Sequence, residues 1–276
     1  MSELTVALAL AEAKTAGVDR LDAQLLLARA LARTRSWLLA HDDAALPSLQ
    51  ASRFRAEMLR RSQGEPLAYL LGEKEFHGLM LQVDPRVLVP RPETETLVDW
   101  GLELLNGALA EVPEARVLDL GTGSGAIALA LKHAYPTAQV SAIDLSADAL
   151  AVAQGNSKRL GLAVEFRQGH WWGGGGEQRF HLIVSNPPYV EQDDPHLFAL
   201  QHEPDLALVS GADGLDALTT IVDGAADHLE PNGWLLLEHG HDQALAVQAL
   251  LRRNGFLAPQ TRQDLAGLPR CTGARR

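Results

Sequence analysis

A side-chain amide, two rigid residues and an aromatic ring stand at the end of an apolar run, in the order Asn186, Pro187, Pro188 and Tyr189. The run, residues 182–184, is short and rich in β-branched residues, and a double proline stops it, which is typical of a buried strand. Because the residue before a proline is restricted to extended geometry, these four residues should form a stiff platform. Open α/β sheets bind ligands at the carboxyl ends of their strands, so we expect chemistry at this platform.

Such a platform suits a planar amide or amine that is to receive a methyl group. A carboxamide nitrogen is a poor nucleophile because its lone pair is delocalised into the carbonyl. The side-chain oxygen of Asn186 and the backbone carbonyl of Pro187 would accept its two N–H groups and turn the lone pair toward the methyl donor. Tyr189 would pack flat on the planar group. Alignment of the reacting atoms supplies several kcal/mol, on the order of 7 in favourable cases, and no strong base is required.

A glycine-rich turn upstream predicts a nucleoside cofactor. Residues 117–120 read as a strand, and Gly121, Gly123 and Ala126 satisfy the spacing of a dinucleotide-binding turn that opens a helix. Asp144 follows about 20 residues later at the end of the next strand, where an acid accepts ribose hydroxyls. Taken alone, this turn is equally compatible with NAD and with S-adenosylmethionine.

The elements that position these residues fall into three predicted stretches: a helical domain at 1–72, a β-hairpin linker at 73–92 and an α/β domain at 93–276. From residue 116 onward strands and helices alternate, which predicts a mostly parallel sheet covered on both faces. The glycine run at 173–176 contains no lysine, so we interpret it as a flexible loop rather than a phosphate cradle. Three arginines of the helical stretch lie near one face of a predicted helix, at Arg53, Arg60 and Arg61. We interpret this face as a solvated charged surface rather than as a docking patch.

Together with the platform, the turn resembles that of class I S-adenosylmethionine-dependent methyltransferases acting on planar nitrogen. The resemblance to release factor glutamine methyltransferases is closer and covers residues 1–250. It is carried by the blocks GEPLAYLLGEKEFHGL (64–79), VLVPRPETETL (87–97), the glycine turn, SNPPY (185–189), and EP (203–204) with GADGL (211–215).

The family implies a Rossmann-like, seven-stranded α/β domain joined through a β-hairpin to a small helical substrate-docking domain. It also implies methyl transfer from S-adenosyl-L-methionine to the glutamine nitrogen of the Gly-Gly-Gln motif in class I peptide chain release factors. Residue by residue, the resemblance assigns cofactor binding to Gly121, Thr122, Gly123, Ser124, Gly125, Asp144, Trp171 and Asn186. The glutamine would be held by Asn186, Pro187, Pro188 and Tyr189.

The resemblance also bears on three further positions. Trp171 is placed by counting back from Asn186, and the neighbouring Trp172 leaves open which ring faces the cofactor. Arg91, in the Pro-Arg-Pro block, is expected near the cofactor. Asp205 stands where relatives often have a basic residue.

The net charge of -11 is unevenly distributed along the chain. No Lys or Arg occurs between Arg179 and Arg252, whereas 12 acidic residues lie there, around the platform. Because polyanions are held mainly by Lys and Arg, this distribution argues against a nucleic-acid substrate and favours a basic protein partner. A solvated acidic surface that aids solubility explains the same charge about equally well.

The remaining expectations concern location and alternatives. A single cysteine, Cys271, and the absence of an export signal or long apolar run favour a cytoplasmic, non-membrane protein, which we expect to be a monomer. His239 and His241 have no evident third ligand, so no metal site is predicted. The alternatives left open are an adenine amino-methyltransferase acting on nucleic acid, a non-catalytic nucleoside-binding adaptor and an NAD enzyme.

Overall fold

The computed structural model describes residues 4–174 and 178–276, which divide into two compact units, Met1–Glu73 and Lys74–Arg276. Residues 175 and 176 of the predicted glycine-run loop lie outside the described residues, and Trp171–Gly174 forms a 3₁₀ turn. Within the described ranges, no helix is both long enough and apolar enough to cross a bilayer.

The first unit is helical, as predicted. Local capping sets where its helices start: Asp19 accepts from the Leu21 N–H at 2.7 Å, and Thr34 from the Trp37 N–H at 3.2 Å. Leu26 and Phe54 are fully buried between the helices. The helices are α1 (Val6–Thr15), α2 (Arg20–Leu31), α3 (Arg35–Ala40), α4 (Ser48–Ser62) and α5 (Leu67–Leu71).

The three arginines singled out on α4 are all paired with carboxylates of the same unit. Arg53 contacts Glu57, Arg60 contacts Glu65, and Arg61 contacts Asp22, at distances between 2.5 and 3.0 Å. This pairing fits the interpretation of a charged structural face, because each guanidinium already has an anionic partner.

A two-stranded hairpin, β1 (Glu73–Phe76) and β2 (Leu79–Gln82), follows the helical unit. His77 and Gly78 form its turn with positive φ angles of 48° and 77°, the geometry of a tight hairpin turn. From residue 74 onward the hairpin is part of the second unit, where its apolar side chains join the core. The side chain of Asn156 also bonds both the N–H and the C=O of Gln82, at 2.7 and 2.9 Å.

The second unit is built on a seven-stranded sheet, which confirms the predicted fold class. Its strands are β3 (Arg116–Leu120), β4 (Gln139–Asp144), β5 (Glu165–Gln168), β6 (Phe180–Ser185), β7 (Leu229–Glu238), β8 (Leu257–Gln263) and β9 (Pro269–Arg275). They lie in the order β5-β4-β3-β6-β7-β9-β8. The first five strands of this order run parallel, whereas β9 is antiparallel to both β7 and β8.

Helices cover both faces of the sheet, and two hydrophobic clusters fill the spaces between. The helices are α6 (Glu95–Asn106), α7 (Ala126–Ala134), α8 (Ala147–Leu160), α9 (Asp216–His228) and α10 (Ala244–Arg253). One cluster packs α6 and α7 against one side of the strands, and the other packs α9 and α10 against the opposite side. The chain order reverses where β3 lies between β4 and β6, and this switch point is where such sheets bind ligands.

Candidate active site

The turn between β3 and α7 is shaped by three glycines in left-handed conformations. Gly121, Gly123 and Gly125 have φ angles of 72°, 55° and 83°, which other residues adopt only with strain. No atom lies within 4 Å of the Cβ position that a side chain at Gly123 would occupy, so the backbone there is open to a ligand. At Gly125 the same position is closed by Leu129 and Ala153, so this glycine serves helix packing.

A buried carboxyl group stabilises the turn from beneath. Asp119 Oδ2 accepts from the Thr122 hydroxyl at 2.7 Å and from the Ala128 N–H at 3.2 Å. Burial raises the pKa of Asp119 to about 7. Thr122 therefore faces the protein interior, where it fixes the shape of the turn.

Asp144 connects the turn to the cavity. Its Oδ2 accepts from the Gly123 N–H at 2.8 Å and its Oδ1 from the Ser146 N–H at 2.9 Å. Partial burial raises the pKa of Asp144, although the backbone hydrogen bonds oppose the shift. The carboxyl group thus orders the glycine turn and also lines the adjoining space, where it can meet ligand hydroxyls.

A cavity of about 400 Å³ opens above the carboxyl ends of β3, β4 and β6. Of the predicted site residues, its wall contains Gly121, Gly123, Asp144, Trp171, Asn186 and Pro188. The predicted site residues outside this wall are Thr122, Ser124, Gly125, Pro187 and Tyr189. Lining residues that the sequence had not singled out include Leu145, Ser146, Ala149, Leu206 and Thr220.

The two adjacent tryptophans point in different directions. The ring of Trp171 lies 3.4 Å from the Cβ position that a side chain at Gly121 would occupy, and it lines the cavity. Trp172 instead donates from Nε1 to the Thr220 carbonyl at 3.1 Å and stacks on His228 with ring centroids 4.4 Å apart. Trp171 is therefore the ring that can meet a ligand in the cavity.

The platform stands at the end of β6, next to the glycine turn. The Ser185 hydroxyl donates to the Leu120 carbonyl at 2.7 Å, which ties the end of β6 to β3. Asn186 donates from Nδ2 to the Thr94 hydroxyl at 3.2 Å. Its amide is therefore held on the nitrogen side, which leaves the oxygen to accept from a ligand.

Tyr189 is held by the protein itself. Its hydroxyl donates to Glu238 Oε1 at 3.4 Å, and burial together with that carboxyl group raises the pKa of the phenol. The ring packs against the core between the sheet and α9 and α10. Its expected role of stacking on a substrate amide stays a prediction.

The sequence analysis assigned no role to three residues around the platform. Thr94 orients Asn186, Glu238 receives Tyr189, and Glu203 Oε2 accepts from the Val89 N–H at 3.0 Å while also pairing with Arg91. Thr94 and Arg91 lie in the Pro-Arg-Pro-Glu-Thr block, but nothing in that block shows which distant residue each will contact. Arg91 is thus engaged by a buried glutamate.

The two candidate histidines do not assemble a metal centre. His239 is buried, and its ring nitrogens contact the Gly240 carbonyl and the Thr272 hydroxyl, each at 2.7 Å. Across residues 4–174 and 178–276, no group of three or more His, Cys, Asp or Glu side chains is placed to hold a metal ion.

Comparison with known proteins places both units in recognised groups. The chain matches the family model of the PrmC N-terminal domain over residues 5–72 and that of the methyltransferase small domain over residues 94–202. The release factor glutamine methyltransferase of Xylella fastidiosa (strain Temecula1) is 48% identical, over 97% of this chain and 97% of its own length. That of Bordetella pertussis is 47% identical, over 93% of this chain and 95% of its own length.

Solved structures agree on the fold. The hMettl16 catalytic domain in complex with MAT2A 3′UTR hairpin 1 superposes with a TM-score of 0.58 at 14% identity, over 79% of this chain and 80% of that one. The T. thermophilus 16S rRNA N2 G1207 methyltransferase, in complex with AdoMet and guanosine, gives 0.52 at 22% identity, over 74% of this chain and 49% of that one.

The sheet order, the glycine turn and the matching domain define an S-adenosylmethionine-dependent methyltransferase of class I. The observed site suits that cofactor, because the open backbone at Gly123, the carboxyl group of Asp144 and the ring of Trp171 line one cavity. With relatives at 48% and 47% identity over nearly their whole length, the chain belongs to the release factor glutamine methyltransferase family. The resemblance seen in the sequence is thereby confirmed.

Proposed function

We propose that this protein methylates the side-chain amide nitrogen of the glutamine in the Gly-Gly-Gln motif of class I peptide chain release factors. The relatives with which it shares nearly half of its residues carry the name release factor glutamine methyltransferase. The observation that carries the proposal is the position of Asn186: it lines the cavity beside the glycine turn, and its amide nitrogen is already engaged by Thr94.

The cofactor supplies an electrophilic methyl group on a sulfonium sulfur. We assign its binding to the cavity wall: the Gly121–Gly123 backbone accommodates a closely approaching group, Asp144 accepts from ribose hydroxyls, and Trp171 packs on the adenine side. The cavity's lining includes the apolar side chains of Ile143 and Leu145.

Asn186 and Pro187 would orient the acceptor. The Asn186 oxygen accepts one N–H of the glutamine amide and the Pro187 carbonyl accepts the other, so the nitrogen lone pair turns toward the methyl group. Once methylated, the amide nitrogen is strongly acidic and gives its proton to solvent without a dedicated base. Orientation by these two acceptors, rather than proton abstraction, is the protein's contribution.

A labelling experiment tests the proposal. Purified chain is incubated with isotopically labelled S-adenosylmethionine and a purified class I release factor, and the modified residue is mapped by mass spectrometry. We expect one methyl group on the glutamine of Gly-Gly-Gln, and none on a release factor in which that glutamine is alanine. Label on adenine in parallel DNA and RNA reactions, and none on the release factor, would instead identify a nucleic-acid enzyme.

A variant separates the role of Asn186 from cofactor binding. Asn186→Ala should bind S-adenosylmethionine as the parent does, in calorimetry, yet lose methyl transfer. Activity equal to that of the parent would refute the assigned role.

We further propose that the enzyme acts as a monomer in the cytoplasm, on a protein and not on nucleic acid or membrane. Exposed acids after the platform, including Glu191, Asp193 and Asp205, lie within the segment 180–251, which contains no Lys or Arg. Release factors have basic surface for ribosomal RNA, so this charge would accelerate their association. Size-exclusion chromatography with light scattering tests the oligomeric state.

A further inference from the structure

A buried acid beside the platform has no part in the mechanism described so far. Glu238 is the last residue of β7, which pairs in parallel with β6 so that Leu237 lies opposite Ser185. Glu238 and Asn186 are therefore the next positions on the two strands, at the same edge of the sheet. Glu238 is only 1% exposed. A carboxyl group rarely occupies such a position without specific partners.

Two hydroxyl groups reach this carboxyl group. The Tyr189 hydroxyl donates to Oε1 at 3.4 Å, Oε2 has no hydrogen-bond partner among the described residues, and the Thr94 hydroxyl favours the charged form of the acid. Thr94 is itself buried, at 4% exposure, and it also contacts Asn186. Thr94 thus stands between Glu238 and the amide that faces the cavity.

The direction of the hydrogen bonds follows from proton counting. An ionised carboxyl group can only accept, so the Thr94 hydroxyl can serve Glu238 only by turning its single proton toward the acid. The Thr94 oxygen can then serve Asn186 only as an acceptor, and it meets Nδ2 at 3.2 Å. The opposite side of the amide is the oxygen. An amide turned over would present its own NH₂ to the NH₂ of a glutamine, and no hydrogen bond would form between two donors.

We propose that Glu238 and Thr94 are positioning residues that fix the Asn186 side chain with its oxygen toward the glutamine amide. The inference rests on the function proposed above, whose substrate supplies the N–H donor. Neither residue touches the reacting atoms; both act through Asn186.

The relay that runs from Glu238 through Thr94 to Asn186 should respond to pH. Burial raises the pKa of Glu238 to about 7, against opposing effects from Thr94, Arg270 and Tyr189 and in the same direction as Glu93. When Glu238 is protonated it can donate to Thr94, whose own proton is then free to turn toward Asn186. That arrangement favours the unproductive orientation of the amide. The productive orientation is therefore the one present above the pKa of Glu238.

The other groups that face Glu238 do not mimic this behaviour. Burial raises the pKa values of Tyr189 and Cys271 far above neutrality, and burial lowers the pKa of His239. Arg270 is the cationic group whose charge opposes the raised pKa of Glu238. A transition near pH 7 that depends on residue 238 therefore reports Glu238.

Activity measurements test the relay with a matched set of variants. Thr94→Val keeps the shape of the side chain but removes the hydroxyl, and Thr94→Ser keeps the hydroxyl. We expect the valine variant to lower kcat about tenfold, the effect of one lost orienting hydrogen bond of about 1.4 kcal/mol, with the S-adenosylmethionine Kd unchanged. Serine should restore most of the rate. Thr15→Val, which removes an exposed hydroxyl bonded to the Ala11 carbonyl in α1, is the control for the substitution itself.

The pH profile separates positioning from a structural role. For the parent, kcat/KM should rise through about pH 7 as Glu238 loses its proton, and Glu238→Gln should lack that step and have a lower kcat. An unchanged step in the glutamine variant, or full activity of Thr94→Val, would overturn the proposal.

A spectroscopic measurement does not depend on the substrate. With ¹⁵N-asparagine labelling, the side-chain NH₂ signal that disappears in Asn186→Ala is assigned to Asn186. In the parent it should shift with a midpoint near pH 7, and in Glu238→Gln and Thr94→Val it should not. No shift in the parent refutes the relay whatever the enzyme methylates. A shift without any transfer to glutamine would keep the relay and refute the proposed function.

Discussion

Two glycines of this chain share one backbone conformation but differ in what lies beside them, so they form a matched pair for the cofactor site. Gly123, in the glycine turn, has φ 55°, and Gly161, which caps the end of α8, has φ 68°. At both, the Cβ position of a larger residue meets no atom within 4 Å. Alanine at either position therefore introduces backbone strain without a clash inside the protein.

The expected magnitudes follow from that geometry. The left-handed conformation costs a non-glycine residue about 1–2 kcal/mol, so Gly123→Ala and Gly161→Ala should destabilise the fold by similar amounts. Only Gly123 lines the cavity, so only there does the new methyl group project toward the cofactor. The backbone N–H of Gly123 also donates to Asp144, which the substitution would disturb. We expect the S-adenosylmethionine Kd to rise at least tenfold in Gly123→Ala, a loss of about 1.4 kcal/mol, and to stay within about twofold of the parent in Gly161→Ala.

The assay is calorimetric titration of S-adenosylmethionine at a temperature where both variants remain folded, with denaturant unfolding as the stability reference. The assignment is supported if both variants lose the same free energy of unfolding and only Gly123→Ala loses affinity for S-adenosylmethionine. If Gly123→Ala binds the cofactor as tightly as Gly161→Ala does, the glycine turn is not the cofactor site, and the assignment of the cavity to S-adenosylmethionine is wrong.

Three further outcomes are expected. Trp171→Ala should weaken cofactor binding in the same titration, whereas Trp172→Ala, which loses packing on His228, should mainly lower the free energy of unfolding; the reverse result would exchange the two roles. Because the native pKa of Asp119 is raised to about 7, the stability it contributes is full below its unfolded pKa and is lost as pH rises through 7. The parent should therefore lose more stability than Asp119→Asn between pH 5 and 8 in urea unfolding, and parallel curves would contradict this. Replacing Asp193 and Asp205 by Asn should raise KM for the release factor at low salt and leave kcat unchanged, with the difference vanishing near 0.5 M salt; a difference that persists there is not electrostatic.

The parts of the fold that were predicted are those with strong local signals. The helices of the first unit follow from apolar spacing and from capping residues such as Asp19. The parallel strands β3 and β6 follow from short apolar runs closed by glycine or proline, and β4 follows from a short apolar run before Asp144; these signals act within a few residues. Strands β8 and β9 carried no such signal, because β8 is largely exposed and β9 contains Pro269 and Gly273. They form strands through tertiary pairing, because β9 lies antiparallel to β7 and β8 lies antiparallel to β9.

The orientation of the two tryptophans shows a similar limit. Trp171 and Trp172 are chemically alike and adjacent, so no sequence pattern separates them. Packing decides: Gly224 on α9 leaves room for the Trp172 indole, whose ring would lie 2.2 Å from a Cβ at that glycine. Because Trp172 packs against Gly224, Trp171 is the tryptophan whose ring faces the cavity.

The sequence by itself determined the chemistry that this chain carries: a glycine turn before a helix, an acid one strand later, and an amide on a proline-stiffened strand end. Such signals are readable because they depend on backbone preferences of neighbouring residues. Only the tertiary structure decided which way the amide of Asn186 faces. Its partner Thr94 lies 92 residues earlier, and Glu238 enters from the next strand of the sheet. The direction of a hydrogen bond depends on which distant donors and acceptors the fold brings together, and no local pattern records that.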